Sequence, residues 1–392
     1  MKSIETALIG NFSRGDDVIF GRRLLERALI VCQRAGIKRF FVETTPENRP
    51  QTLRALGSFR DRPEVTLVGS LGEALSGKSA IRAETPCVRL SGNLVMSQAQ
   101  LLKLLGRQGQ AHGEFTGLSS ADDEHSGALV TGPAAALLGA IPGGTREIEP
   151  GTYLPFALNG RVEDRVEAEL RLARSLARET EGTDGPLARL LDRRVSWRIS
   201  YRLARTGITP NQVTLFNTAV GLLSAWLFAL PSYGWRLAAA VLFLLSVTLD
   251  GVDGELARLK MVESEAGRRL DVFTDNVVHV AILSGLLVGC YRAGGTRAYL
   301  YLIGVLLAGF GLCAVVVERA HRVDGPQAEH WIQAVERATG RDFAYILFVL
   351  AVLNRLSYFV WGTALGTYVF AALLWWLTGR QRKKAGSVLS RA

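Results

Sequence analysis

The sequence predicts a soluble α/β domain followed by an all-α membrane domain of six spans. Three observations carry that reading. Short apolar runs alternate with helical patterns through residues 1–185. Beyond about residue 207, apolar runs become long enough to cross a hydrocarbon core of ~30 Å. Charge is also divided: residues 1–185 hold 23 Lys/Arg and 23 Asp/Glu, whereas residues 186–392 hold 23 basic and 13 acidic residues, hence the whole net charge of +10. A basic surplus beside apolar runs points to anionic lipid or phosphate as partners. Nucleic acid is not expected, because no basic stripe interleaved with aromatics occurs.

In the first half, TALIG (6–10), RFFVET (39–44) and VTLVG (65–69) read as strands, with RRLLERALIVCQRAG (22–36) as a helix between the first two. Strands separated by helices of this length predict a largely parallel sheet, here assigned to residues 1–160. Residues 161–185 form a charged helix and a linker, the helix ending at EGTDGP. Residues 186–206 read as a basic amphipathic helix on the membrane surface, with Arg189, Arg193, Arg194, Arg198, Arg202 and Arg205 among Leu, Val, Trp and Ile. The membrane domain covers 207–380, with spans at about 211–230, 235–257, 269–291, 298–318, 341–355 and 358–378; a basic tail occupies 381–392. The N-terminal stretch has no apolar core of signal length, so a secretory signal is not expected. Cys32, Cys87, Cys290 and Cys313 form no CxxC and read as isolated thiols.

Orientation follows from the basic residues. With the N-terminal domain in the cytoplasm, cytoplasmic segments hold 19 Lys/Arg and the opposite side holds four: Arg236, Arg292, Arg297 and Arg355. The positive-inside rule therefore places both termini, and the connection between the second and third spans, on the cytoplasmic face of an inner or plasma membrane.

That connection carries Asp250, Asp253, Asp271 and Asp275. An ionised aspartate deep in a span costs ~2.5–3.5 kcal/mol, and four together repel one another. Asp250 and Asp253 share a helix face with Gly254 and Ala257; Gly267, Asp271 and Asp275 recur every four residues on the next helix. Counting from Arg258 and Arg268, the outer two aspartates lie ~10–12 Å below the helix ends. The small residues leave room between the helices. Oxygen-only ligands suit Mg²⁺, Mn²⁺ or Ca²⁺, and two divalent ions would neutralise the cluster and still accept phosphate oxygens.

Asp250-x2-Asp253-Gly254-x2-Ala257-Arg258-x8-Gly267-x3-Asp271-x3-Asp275 is similar at every fixed position to the signature of the CDP-alcohol phosphotransferases (the CDP-alcohol phosphatidyltransferase family). TPNQVT (209–214) and the preceding surface helix resemble that family too, so that the likeness covers about residues 185–380. It implies transfer of a phosphoalcohol group from a CDP-alcohol to the hydroxyl of a second alcohol, with release of CMP, in synthesis of a phospholipid or an inositol-phosphate-type phosphodiester. It further implies Mg²⁺ or Mn²⁺ on the four aspartates, Asp275 as general base, Arg258 on the diphosphate, and a homodimer in the bilayer. Gly254, Ala257 and Gly267 would admit the cytosine ring, with Asn211 and Thr214 as further nucleotide contacts. Arg319, His321, Arg322 and Arg341 are candidates for an acceptor carrying its own phosphate. His279, one turn beyond Asp275, reads as a packed neutral side chain.

The first half has a resemblance of its own. GRRLLERALIVCQRAGIKRFFVE (21–43) and RLSGNLVMSQAQLLKLL (89–105) resemble the sugar-nucleotide transferase fold. That family's GxGxR phosphate loop is replaced here by GNFSRGDD, and its metal-binding Asp by Gly92-Asn93. The resemblance with these departures implies a nucleotidyltransferase-like domain that is inactive, regulatory or structural. Two rival functions for the whole chain are an intramembrane prenyltransferase and a cation transporter with the aspartates as its path. The first needs a second Asp-rich motif on another helix pair, and the second predicts inverted repeats; neither occurs.

Overall fold

The computed structural model describes residues 4–10, 17–76, 80–106, 116–119, 128–138, 146–147, 156–158, 162–179, 192–321 and 343–389. The linker at EGTDGP and most of GNFSRGDD lie outside these residues. The chain divides into two compact units. The first is 1–179 with 200–207 and 255–262; the second is 180–199, 208–254 and 263–392.

The first unit is built on β1 (Thr6–Gly10), β2 (Val18–Ile19), β3 (Arg22–Arg23), α1 (Leu24–Arg34), β4 (Arg39–Glu43), α2 (Arg49–Ala55), β5 (Val65–Val68), β6 (Pro86–Ser91), β7 (Leu94–Val95) and α3 (Gln98–Gly106). It continues with β8 (Thr116–Ser119), β9 (Ala128–Pro133), α4 (Ala134–Leu137), β10 (Arg146–Glu147), β11 (Phe156–Ala157) and α5 (Val162–Glu179). The main sheet runs β10-β8-β9-β6-β1-β4-β5. Its β6-β1-β4-β5 half is parallel, as the strand–helix alternation predicts; β9 pairs antiparallel with both β6 and β8.

Every residue of β1 is buried, because both faces of a central parallel strand are covered. Ala7 and Ile9 join the layer under α1 and α3, whereas Leu8 joins the opposite layer with Phe41, Leu71 and Leu137. Cys32 and Cys87 lie in these two layers as free thiols, and burial pushes the Cys87 thiol up to about 12. Asn93 has a structural part: its backbone carbonyl accepts from Leu158 N at 3.0 Å and its side chain donates to Leu158 O at 3.4 Å.

The remaining helices are α6 (Asp192–Ala204), α7 (Pro210–Phe228), α8 (Tyr233–Lys260), α9 (Glu265–Gly294), α10 (Ala298–His321), α11 (Phe343–Val352) and α12 (Leu356–Leu389). Each of the six apolar runs forms a helix from α7 to α12. Within the described residues, three are long and apolar enough to cross a membrane: Tyr233–Lys260, Glu265–Gly294 and Leu356–Trp376. At 1.5 Å per residue, the ten residues of α11 span about 15 Å, half a hydrocarbon core.

TPNQ is a helix-start device. Thr209 Oγ1 accepts from Gln212 N, Gln212 Oε1 accepts from Thr209 N, and Pro210 occupies the first turn, where its missing N–H is harmless. The α11–α12 junction is equally local. Asn354 adopts φ 55, Asn354 N donates to Ala351 O and Arg355 N to Leu350 O, which closes α11 with a Schellman motif.

In the second unit α7 lies tight against α9. A Cβ on Gly285 would collide with Ala225 O, one on Gly289 with Phe228 O, and one on Gly221 with Val278 Cγ1 at 2.6 Å. Gly285-x3-Gly289 thus works as a small-residue stripe for close backbone approach. The face of α6 that is buried is Asp192, Ser196, Ser200 and Ala204. Asp192 Oδ1 accepts from Thr248 Oγ1 at 2.9 Å and Tyr345 Oη at 2.7 Å, tying α6, α8 and α11 together.

Candidate metal and phosphate site

Asp250 and Asp253 stand on α8, Asp271 and Asp275 on α9. The turn joining these helices is set by local chemistry. Met261 adopts φ 56, Met261 N donates to Arg258 O and Val262 N to Ala257 O, a second Schellman closure. Ser264 Oγ then caps α9 by accepting from Gly267 N at 3.0 Å. Both helices therefore run further than the basic residues suggest. Asp250 is ten residues from Lys260 and Asp275 ten from Glu265, about 15 Å along each helix rather than 10–12 Å.

Depth in a bilayer is measured better from the opposite end of α8 than from these helix ends. Tyr233 and Trp235, exposed at the opposite end of α8, suit the far membrane interface. Asp250 is 15 residues past Trp235, about 22 Å. In a ~30 Å core it then lies under about 10 Å from the boundary.

Asp250, Asp271 and Asp275 offer oxygens that lie within 4.8 Å of one another. At an effective dielectric of 20, each pair of unit charges at that spacing repels by about 3.5 kcal/mol, so three ionised carboxylates need a counter-charge. An all-oxygen donor set of this compactness fits Mg²⁺ or Mn²⁺. Asp253 stands outside that group of three. It is buried, accepts from the Thr214 hydroxyl, and also accepts from Gly254 N at 2.6 Å. Thr214, read as a nucleotide contact, is thus found on a carboxylate.

Asp250 and Asp275 line a cavity of about 340 Å³ with Asn217, Ser246, His279 and Phe343. That is the size of a small-ligand site. Ser246 Oγ donates to Asn217 Oδ1 at 2.7 Å, and the His279 ring lies 5.6 Å from that of Phe343. Asn217 and Ser246 escaped the sequence reading, although their signal was there. Ser246 is one turn before Asp250 on the same face, and Asn217 is an amide inside an apolar span.

Gly267 is pressed close: a Cβ there would meet Ser264 Oγ at 3.1 Å and Asn211 Oδ1 at 3.2 Å. Asn211 and Gly267 are therefore neighbours. Arg258, near the end of α8, has a buried Nε without a hydrogen-bond partner among the described residues. Of the acceptor candidates, Arg319 is exposed and stacks over Trp375 at 4.7 Å. His321 ends α10, while Arg322 and Arg341 lie outside the described residues.

The second unit is a membrane-embedded helical bundle with a carboxylate cluster suited to a hard divalent cation. Residues 207–379 match the CDP-alcohol phosphatidyltransferase family, and the chain belongs to that family. It is similar to the bifunctional IPC transferase and DIPP synthase of Thermococcus kodakarensis, with 32% identity over half of this chain and 44% of that protein. The inner membrane protein YnjF of Escherichia coli is 30% identical over 45% of this chain and 82% of its own length. The archaetidylinositol phosphate synthase of Pyrococcus horikoshii is 28% identical over 47% of this chain and 87% of its own. The chain spans less than half the length of the bifunctional relative.

Proposed function

We propose that this protein transfers a phosphoalcohol group from a CDP-alcohol to the hydroxyl of a second alcohol, releasing CMP. The product is a phospholipid or an inositol-phosphate-type phosphodiester, in keeping with the names of the bifunctional and archaetidylinositol phosphate relatives. The observation that carries the reading is the three-aspartate cluster on the helix pair that bears the family signature.

Asp250, Asp253, Asp271 and Asp275 would hold Mg²⁺ or Mn²⁺, which when bound polarises the phosphoryl group and stabilises the departing CMP. Asp275 takes the proton from the acceptor hydroxyl. The freed oxygen attacks the phosphorus that carries the donor alcohol, and the P–O bond to CMP breaks with its electron pair. The Arg258 guanidinium forks onto the diphosphate. Gly254, Ala257 and Gly267 leave space for cytosine, beside Asn211. Arg319, His321, Arg322 and Arg341 would receive a phosphate on the acceptor.

The same reading includes six spans, a basic helix at 186–206 on the membrane surface, both termini and the site on the cytoplasmic side, and a homodimer. It also includes an N-terminal domain without nucleotidyl transfer. The test is CMP release from purified protein given a panel of CDP-alcohols and acceptors, with Mg²⁺, with Mn²⁺ and with EDTA. Metal-dependent CMP release, stopped by EDTA and restored by added metal, is expected. Full turnover in chelator would sink the metal reading, and no CMP from any donor would sink the reaction.

A further inference from the structure

The end of α8 carries Arg258, and residues 255–262 group with the first unit. A helix leaves its last four C=O groups without intrahelical donors, here those of Ala257, Arg258, Leu259 and Lys260. Val262 N takes Ala257 O, and Met261 N takes Arg258 O. Leu259 O is met by a side chain 232 residues away: Arg27 Nη1 donates to it at 2.7 Å.

Arg27 is an expensive residue at its position. It is 4% exposed and stands in the first turn of α1, where its own helix disfavours a cation. Its second hydrogen bond, from Nη1 to Ile19 O, is long at 3.4 Å, and Nη2 is buried without a partner among the described residues. Burial first, then the charges of Arg22 and Arg34, push the group down to about 10, so that it stays charged at neutral pH. Methionine would fill the same space without burying a charge. What the arginine adds is a hold on the carbonyl end of α8, where the helix dipole favours a cation.

Two further contacts fix the same stretch. Leu256 and Leu259 are buried, and Met261 packs on the core layer that Leu25, Ala28 and Leu29 of α1 help to form. Ser200 Oγ donates to Glu255 Oε2 at 2.6 Å, with both residues buried. All of these residues belong to the first unit. Arg258 lies between the held positions 255 and 259, within little more than one helical turn. The rotation and axial position of its backbone are therefore set by the α/β unit.

We propose that Arg27 is a positioning residue for donor binding: through Leu259 O it holds the end of α8 so that Arg258 is preset for the diphosphate. The α/β unit thereby serves the transferase as the holder of one of its phosphate ligands. The inference rests on the transferase reading, and it gives that unit a part in the reaction that needs no nucleotidyl transfer of its own.

The experiment is a double-mutant cycle on the full-length protein in detergent, read by calorimetric binding of CDP with Mg²⁺ present. Arg27→Met keeps an apolar stem and removes the donors; it should raise the Kd for CDP about tenfold. In an Arg258→Gln background the same change should add less than about twofold, because both residues act through one contact. Arg27→Lys, which keeps the charge and a donor, should lie between wild type and Arg27→Met, and it carries the same cycle should Arg27→Met fail to fold. Hydrogen exchange gives a readout without ligand: amides 259–262 should exchange at least about tenfold faster in the Arg27 variant, with those of β1 unchanged. Unmoved CDP affinity, a full tenfold loss that persists in the Arg258→Gln background, or unaltered exchange at 259–262 overturns the inference alone. Wild-type protein that binds no CDP would sink the donor site of the transferase reading and this inference with it.

Discussion

Asp275 and Asp253 are both aspartates of one signature, yet their surroundings differ. Asp275 lines the cavity and belongs to the three-carboxylate cluster, where an incoming hydroxyl could reach it. Asp275→Asn should abolish CMP release while leaving much of the metal-dependent binding of a CDP-alcohol, measured by calorimetry on the purified variant. Unchanged turnover would remove Asp275 as the base. Asp253 is turned toward the Thr214 hydroxyl, which can donate either to that carboxylate or to Pro210 O at 3.2 Å. A hydroxyl that orients a metal-binding carboxylate commonly matters about 10–100-fold in metal affinity. Thr214→Val should therefore raise the Mg²⁺ concentration for half-maximal CMP release by at least about tenfold, with the maximal rate less affected. An unmoved Mg²⁺ requirement would leave Thr214 with a packing role alone.

At the level of the helices, position was largely legible and contact was not. Thr209, Pro210 and Gln212 announce the start of α7, since capping chemistry is local and needs no distant partner. Where α8 ends was not legible. Met261 is a poor left-handed residue by its own preference, but its side chain packs against the core of the first unit. Tertiary contact thus placed a stop that sequence rules would have given to glycine. The α7–α9 crossing is a similar case: Gly285 and Gly289 could have been ordinary span residues until Ala225 and Phe228 were found against them. Gly285→Leu should force these backbones apart, an overpacking cost of at least about 1–3 kcal/mol. The expected result is a lower melting temperature in detergent and reduced CMP release, because Asp271 and Asp275 ride on the displaced helix. A variant that melts with wild type would mean that α9 does not approach α7 this closely.

For the whole molecule, the two units do not follow the chain in simple succession. Residues 200–207 and 255–262 group with the α/β unit although they continue helices of the other one. A fragment cut at residue 185 would lose them, so the test of the N-terminal domain belongs to the intact protein. Given CTP and sugar or polyol phosphates, the full-length protein should release no pyrophosphate. GNFSRGDD lacks a GxGxR cradle, and Asn93, in place of a metal carboxylate, clasps Leu158. Pyrophosphate release in a phosphate-coupled assay would show that the domain is active. Orientation is checked in the same intact chain: cysteines placed at Arg268 and Arg297 should label from the cytoplasmic and opposite faces respectively. Labelling from the exchanged faces would reverse the topology, and labelling of both from one face would mean that α9 does not cross the membrane.

The sequence by itself determined the parallel strands, the positions of the apolar helices, and the aspartate signature, because each is written in spacing along one segment. Composition also determined the basic surplus of the second half. Only the tertiary structure decided which carboxylates converge, that Thr214 holds Asp253, that Asp192 ties three helices, and that Arg205 reaches Glu169. The physical reason is common to all four. Helix periodicity fixes which residues share a face, but the partner across that face comes from another helix, and its rotation and depth are set by packing between side chains far apart in the chain.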